Sequence, residues 1–108
     1  MKELSDVIVN SARIGFDEVN DIVFTLDLKG KNETKLQISI PLLYSDGAAK
    51  VQAILEYANV KYVDQLPGKY IRLVKKDAIP YALGGYSNKN FFLIDAQKKY
   101  CLDEIMEL

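Results

Sequence analysis

The first forty residues alternate between apolar and polar side chains, which is the pattern of strands that bury one face. The pattern predicts strands over residues 7–14, 22–28 and 36–42. Residues 29–33 are typical of a hairpin loop, so we expect an antiparallel meander with one face exposed to solvent. In the two later strands the face expected to be buried consists of Ile22, Phe24, Leu26, Leu28, Leu36, Ile38, Ile40 and Leu42.

The spacing of apolar residues then changes to three and four, which predicts an amphipathic helix over residues 47–58. Ser45 or Asp46 is suited to cap its start, and Asn59 is suited to end it in the left-handed conformation. The apolar face of this helix is expected to contain Ala48, Val51, Leu55 and Ala58, with Ile54 beside them.

Three further strands are predicted after the helix, over residues 69–75, 78–83 and 91–94. Pro80 cannot donate a backbone hydrogen bond, so its strand is expected to lie at a sheet edge or to contain a bulge. The tail, residues 98–108, is predicted to form a short helix because its apolar residues have helical spacing. These residues are Cys101, Ile105 and Leu108.

The balance of residue types is that of one globular domain, since 49% of the 108 residues are apolar and 27% are charged. We therefore predict a single α+β domain over residues 1–108, with a mainly antiparallel sheet. It would contain the N-terminal three-strand meander, a central helix and the C-terminal strands. The absence of a long apolar stretch and of a secretory signal predicts a cytoplasmic protein without membrane contacts. The single cysteine, Cys101, fits a reducing compartment and is expected to be half-buried.

Catalytic chemistry has little support in the sequence, because the chain contains no histidine. Imidazole is the commonest general base and the usual zinc ligand. Asp17, Glu18 and Asp21 lie close enough to hold a divalent cation or to act as an acid and base, but a solvated turn is the alternative. Gly84 and Gly85 form either a phosphate-binding loop or a plain turn between strands. We predict a protein that is not an enzyme and uses no metal or cofactor.

Charge is distributed unevenly along the chain, although the net charge is only −1. Residues 1–60 carry nine acidic and six basic side chains, whereas residues 61–99 carry eight basic and three acidic ones. Tyrosines interleave with the basic residues of the second segment, and such a combination is typical of protein interfaces and of base-stacking surfaces. A solvated lysine-rich face above tyrosines of the core is the alternative. The predicted binding residues are Lys69, Tyr70, Arg72, Lys75, Lys76, Tyr81, Tyr86 and Lys89.

Three segments also carry recognisable motifs. Residues 12–18 read Ala-Arg-Ile-Gly-Phe-Asp-Glu before an apolar strand, and residues 66–73 read Leu-Pro-Gly-Lys-Tyr-Ile-Arg-Leu after a helix end. Residues 82–92 form an Ala-Leu-Gly-Gly-Tyr block that ends in Phe-Phe. In these motifs the chain resembles a group of small proteins encoded by bacteriophages and prophages. The group has a histidine where this chain has Gly85 and an aromatic residue where it has Val63, so no role of those side chains is carried over.

The resemblance implies a phage accessory protein that acts in the cytosol of a bacterial host. The first hypothesis is a non-enzymatic protein that binds and inhibits a host defence factor, in the manner of an anti-CRISPR protein. The second is a small module that binds nucleic acid or a nucleotide through the same basic segment. An enzyme would require the turn of Asp17, Glu18 and Asp21 to be catalytic. Phosphate binding would weaken steeply with salt, whereas an apolar protein interface would change little.

Overall fold

Seven strands and two helices form the part of the chain that the computed structural model describes, residues 1–43, 46–95 and 99–108. In chain order they are β1 (Lys2–Phe16), β2 (Ile22–Lys29), β3 (Lys35–Pro41), α1 (Gly47–Ala58), β4 (Tyr70–Lys76), β5 (Ile79–Gly84), β6 (Asn90–Leu93), β7 (Lys99–Cys101) and α2 (Leu102–Glu107). Short 3₁₀ helices lie at Lys31–Glu33 and Val63–Gln65. The strands form one antiparallel sheet in the order β3-β2-β1-β4-β5-β6-β7. The predicted meander, central helix and C-terminal strands are confirmed, and the sheet dominates the fold.

The first strand joins the two halves of the sheet. Its residues 2–8 pair with β4, and its residues 8–16 pair with β2. A bulge at Asn10, where the register shifts between Val9 and Ser11, separates the two parts. β1 is therefore almost twice as long as the strand predicted over residues 7–14. Its first residues lack a strong β signal and are held by their pairing with β4.

The main core lies between the sheet and α1. The helix contacts β3 at one edge of the sheet and also β4 and β5, so the sheet must curve around it. Strand twist allows this curvature, and the bulge in β1 increases it. The buried residues of this core include Val7, Val9, Phe24, Leu26, Leu28, Ile38, Ile40, Ile54, Leu66, Ile71, Leu73, Leu83 and Phe92.

The helix has the predicted bounds, and its buried face overlaps the predicted one only in part. Asn59 ends it in the left-handed conformation at φ 57°, as predicted. Asp46 stands at the N-cap but makes no capping hydrogen bond with its side chain, and Ser45, the other predicted cap, lies outside the described residues. The Asp46 carboxylate forms an ion pair with Lys50 at 2.9 Å. The predicted face is confirmed in part: Ile54 is buried, and Val51, Leu55 and Ala58 are half-buried and pack against the core, whereas Ala48 is exposed. The buried residues are Gly47, Ala53, Ile54 and Tyr57, since Gly47 approaches the backbone of β3 closely and Tyr57 stacks on Phe92.

A second, smaller core lies on the opposite face of the C-terminal strands. Ile105 of α2 is fully buried there against Val74, Ala82 and Phe91. The predicted tail helix is shorter than expected: residues 99–101 form β7 and pair with β6, and Lys98 lies outside the described residues. In the described part of the chain, no helix combines the length and the apolar character that crossing a bilayer requires.

The outer face of the meander is less exposed to solvent than the alternation of apolar and polar residues predicts. Val23 and Thr25 are both buried on that face, each with 8% exposure. They lie in the middle strand of the meander and line a surface depression together with Arg13 and Val19. The long side chain of Arg13 and the turn that follows β1 therefore shield positions that would be solvated in an isolated sheet.

Asp27 is the hub of the polar interactions on this outer face. Its carboxylate accepts hydrogen bonds from the Ser11 hydroxyl, from Gln37 Nε2 at 2.9 Å and from Arg13 Nη1 at 2.5 Å. These three donors, Ser11 and Gln37 foremost, lower the pKa of Asp27 to about 2. Strands β1, β2 and β3 are thus tied together by one ionised side chain.

Replacing this carboxylate should weaken the fold in a pH-dependent way. We expect Asp27→Asn to lower the free energy of unfolding by about 1–2 kcal/mol near neutral pH, because the folded state favours the ionised form. The pKa is depressed in the folded state, so this stabilisation is complete above pH 4 and is lost as the pH falls toward about 2. Urea unfolding of both proteins across this window should show the difference shrinking. A difference that stays constant would contradict the assignment.

The Tyr57 hydroxyl offers a second test of the packing. Among the described residues it is a buried polar group with no hydrogen-bond partner, and burial raises the pKa of Tyr57 to about 12. Tyr57→Phe keeps the stacking on Phe92, whose ring centroid is 6.0 Å away, and removes the unpaired hydroxyl. We expect unchanged stability or a gain of up to about 1 kcal/mol in thermal unfolding. A clear loss would mean that the hydroxyl is bonded in solution.

Candidate functional site

The eight predicted binding residues do not form one surface. Side chains alternate along β4, so Tyr70, Arg72 and Lys76 lie on the face opposite the main core. Lys69 and Lys75 have the other parity and point away from that set. Tyr70 and Lys76, at the two ends of β4, are separated by about 20 Å of strand. The structure therefore divides the predicted set into smaller groups.

The first group is a pair of tyrosine rings. Tyr70 begins β4 and Tyr86 lies in the loop after β5, and their ring centroids are 5.6 Å apart at a tilt of 41°. Their exposed fractions are 52% and 50%. Each ring therefore has one side packed and one side open to a partner.

Arg72 holds this pair in place rather than projecting into solvent. Its Nε donates to the carbonyl of Gly85 at 2.7 Å, and its Nη2 donates to the carbonyl of Asn88. The guanidinium also lies 5.4 Å from the ring centroid of Phe91. The loop that carries Tyr86 is thereby bound to the strand that carries Tyr70. Arg72 is a positioning residue for the tyrosines.

Gly84 and Gly85 allow the close packing of the loop that carries Tyr86. A methyl group on Gly84 would overlap the ring of Phe91, and one on Gly85 would overlap the side chain of Asn88. The N–H of Gly85 donates to the carbonyl of Asn90 at 3.1 Å, which closes the β5–β6 connection. These contacts favour the turn over the phosphate-binding loop that the sequence also allowed.

Lys76 and Tyr81 form a second group at the far end of β4. Lys2 is the cross-strand partner of Lys76, and the two ammonium groups lie 5.6 and 5.3 Å from the ring centroid of Tyr81. Tyr81 stands at a bulge, since Lys75 pairs with Pro80 whereas Val74 pairs with Ala82. The bulge predicted for the strand of Pro80 is thus confirmed.

The remaining lysines are dispersed. Lys89 forms an ion pair with Asp103 of α2 at 3.6 Å, both side chains being largely exposed. Lys75 is half-buried opposite Glu3, and Lys69 is exposed just before β4. The basic segment of the sequence therefore does not become one basic groove.

Residues of β1 extend the tyrosine pair into a continuous strip. Ile8 lies opposite Tyr70, Asp6 opposite Arg72 and Leu4 opposite Val74, on the same face. Asp6 is exposed, Leu4 is 40% exposed and Ile8 is half-buried. Sequence reasoning missed these residues because only the β1–β4 pairing brings them there. We call the strip the tyrosine surface; it consists of Leu4, Asp6, Ile8, Tyr70 and Tyr86.

The acidic turn after β1 has a structural use. One carboxylate oxygen of Asp17 accepts the N–H groups of Val19 at 3.0 Å and Asp21 at 2.9 Å, which closes the turn. No cluster of three or more cysteine or acidic side chains suited to a metal ion occurs within residues 1–43, 46–95 and 99–108.

Comparison with known proteins adds no assignment. No protein-family model matches the chain, and no curated protein is significantly similar to it. The resemblance to bacteriophage proteins therefore stays a prediction, and the site is interpreted from its own geometry.

The packing of the loop beneath Tyr86 can be tested with matched glycine variants. Gly84→Ala should lower the free energy of unfolding by about 1–3 kcal/mol, because the new methyl group displaces the buried Phe91 ring. Gly30→Ala is the control, since a methyl group there meets only ordinary contacts at 3.8 and 3.9 Å. Urea unfolding compares the two. Equal stability of both variants would contradict the described packing of Gly84.

Proposed function

We propose that this chain acts by binding a protein partner through the tyrosine surface, and not by catalysis. The observation that carries the proposal is the half-exposed ring pair of Tyr70 and Tyr86, fixed from below by Arg72. Tyrosines held rigidly lose little conformational entropy on binding and supply large contact areas. Such residues are typical centres of protein interfaces.

The surroundings of the ring pair favour a protein over a nucleic acid. Asp6 lies opposite Arg72, so the two charges offset each other and the middle of the strip offers a phosphate backbone no excess positive charge. The guanidinium of Arg72 is already bound to two backbone carbonyls. Leu4 and Ile8 add apolar area. This mixture of aromatic, apolar and acidic side chains matches the composition of protein interfaces.

The tyrosine surface is the centre of a larger contact area in this proposal. A stable interface covers about 800 Å² on each partner, so neighbouring residues must form its rim. Lys89 in the β5–β6 loop is an exposed rim candidate, and Lys69 just before β4 adds a second exposed positive charge nearby, although its side chain points to the other face. Their charges would steer an acidic partner and set its on-rate rather than provide most of the affinity.

The resemblance to bacteriophage proteins extends the proposal to the class of partner. A phage accessory protein in the host cytosol would meet host proteins, and a defence factor is the partner we propose. Inhibition would follow from occupation of that factor's working surface. The absence of histidine and the structural use of the Asp17 turn support binding over catalysis.

A nucleotide or single-stranded nucleic acid is the second candidate, favoured by one observation. The two open tyrosine rings offer faces on which bases could stack, a contact worth about 1–3 kcal/mol per base. Lys69 directly precedes Tyr70 along the chain, although its side chain points to the other face of the sheet. This candidate requires strong dependence on salt, which separates it from the first.

The test compares capture of a host protein by three versions of the chain: wild type, Tyr70→Ala/Tyr86→Ala and Tyr62→Ala. Tyr62 is 66% exposed but lies outside the tyrosine surface, so it controls for loss of any surface tyrosine. We expect the wild type and the control to retain the same protein. The double variant should bind it at least about thirty-fold more weakly, as truncation of a hot spot predicts.

Three results would contradict this proposal. One is equal binding by the double variant, and another is equal loss in the control. The third is binding of a fluorescent oligonucleotide whose affinity falls steeply with salt and depends on Tyr70 and Tyr86, which would support the second candidate. Circular dichroism of each variant verifies that the fold is intact.

A further inference from the structure

Among the strands that the structure describes, the C-terminal half of β1 has a pairing partner on one side only. On its other side, β4 begins with Tyr70 opposite Ile8. Val9 is the last residue bonded there: its N–H donates to the carbonyl of Lys69 and its carbonyl accepts from Gly68, both at 2.8 Å. From residue 11 to residue 16 the strand pairs, within residues 1–43, 46–95 and 99–108, with β2 alone. This segment is therefore an edge without a second strand, although β1 lies in the middle of the strand order and the 3₁₀ helix at Val63–Gln65 also contacts β1.

The backbone groups on this edge can be identified from the hydrogen-bond parity. The N–H of Asp17 donates to the carbonyl of Asp21 at 2.9 Å, so odd-numbered residues of this segment face β2. The bond from Leu42 to the carbonyl of Ile22 gives the same parity from the other side of β2. Ala12, Ile14 and Phe16 consequently direct their N–H and C=O groups away from β2. Outside the strand ladders, no backbone bond of the described residues uses them.

The side chains of this edge leave it open. Ile14 is 52% exposed and Phe16 is 76% exposed, and a methyl group built on Gly15 would meet no atom within 4 Å. Sheet edges are usually protected by charged residues or by proline. The edge of β3 follows this rule, with Lys35 and Pro41 at its ends. The charge within residues 12–16 belongs to Arg13, whose guanidinium is bound to Asp27 of its own chain.

We propose that a second copy of this chain pairs with residues 12–16 of β1 as an antiparallel strand centred on Ile14. In this register Ile14 lies opposite Ile14 of the second copy, and Ala12 lies opposite Phe16. Every outward N–H and C=O group of Ala12, Ile14 and Phe16 then finds a partner. The result is a two-fold dimer with a continuous sheet in the order β3-β2-β1-β1-β2-β3.

Side-chain size and charge select this register over its neighbours. Large residues lie opposite small ones, since Phe16 faces Ala12 and Arg13 faces Gly15, and no like charges stand directly opposite. Centring the pair on residue 13 would place Arg13 against Arg13 of the second copy. Centring it on residue 15 would leave Ala12 opposite Glu18, beyond the end of the strand.

The dimer would present the tyrosine surface twice, because that surface lies on the β1–β4 half of the sheet and not on the edge. A partner with two binding sites, or two copies of a partner, could then bind with avidity. The dimer itself does not depend on the proposed function. The double tyrosine variant should therefore dimerise like the wild type.

Ile14→Pro tests the pairing directly. The N–H of Ile14 points away from β2, so proline removes a donor that the single chain does not use and blocks the dimer. Sedimentation equilibrium should give the wild type twice the 12.2 kDa mass of one chain and give Ile14→Pro the mass of one chain. Amide exchange of Ala12, Ile14 and Phe16 should slow with rising concentration in the wild type.

Ile14→Lys is the second variant, in case proline perturbs the strand. It keeps the N–H group but places two lysines directly opposite in the proposed register, and it should also be monomeric. Ile79→Lys, at another aliphatic residue with 68% exposure, is the control and should remain dimeric. A wild-type chain that is monomeric at millimolar concentration would overturn the proposal. So would a dimer that persists in both Ile14 variants, or an edge that is protected only by a different protein.

Discussion

The fold depends on the way in which β1 changes partners. Before the bulge at Asn10 it is the neighbour of β4, and after the bulge β2 is its single neighbour among the described strands. One strand thereby connects the meander to the C-terminal strands and lets the sheet curve around α1. The same change leaves one stretch of backbone without a partner. Stability of the core and openness of the edge thus have a common cause.

The basic and aromatic residues of the second half of the chain divide between structure and surface. Arg72 fixes the β5–β6 loop, Lys2 and Lys76 lie over Tyr81, and Lys89 reaches α2. Each of these contacts occupies a charged side chain that, from the sequence alone, is available to a partner. The exposed tyrosine rings remain, and they are oriented by side chains that are no longer available to a partner. A protein interface follows more naturally from this division than a phosphate-binding groove.

Local signals in the sequence were sufficient for most elements of the fold. The left-handed Asn59 marked the helix end, alternation marked β2 and β3, and the missing donor of Pro80 marked a bulge. The misjudged features depend on pairing between distant segments. The burial of Tyr57 on α1 follows from its stacking on Phe92, and the tyrosine surface needs β1 beside β4. Neither contact can be predicted from the spacing of residues that are close together in the sequence.

The β1–β4 pairing also has a consequence for the order of folding. Lys2 pairs with Lys76, so the ladder between β1 and β4 cannot form until the residues up to β4 have been synthesised. Contacts between residues so far apart in sequence slow folding. The meander needs only local hairpins and can form as soon as β3 has left the ribosome. Until β4 forms, the nascent meander exposes an edge of β1 that has no pairing partner. The risk of aggregation during synthesis is therefore concentrated in this interval.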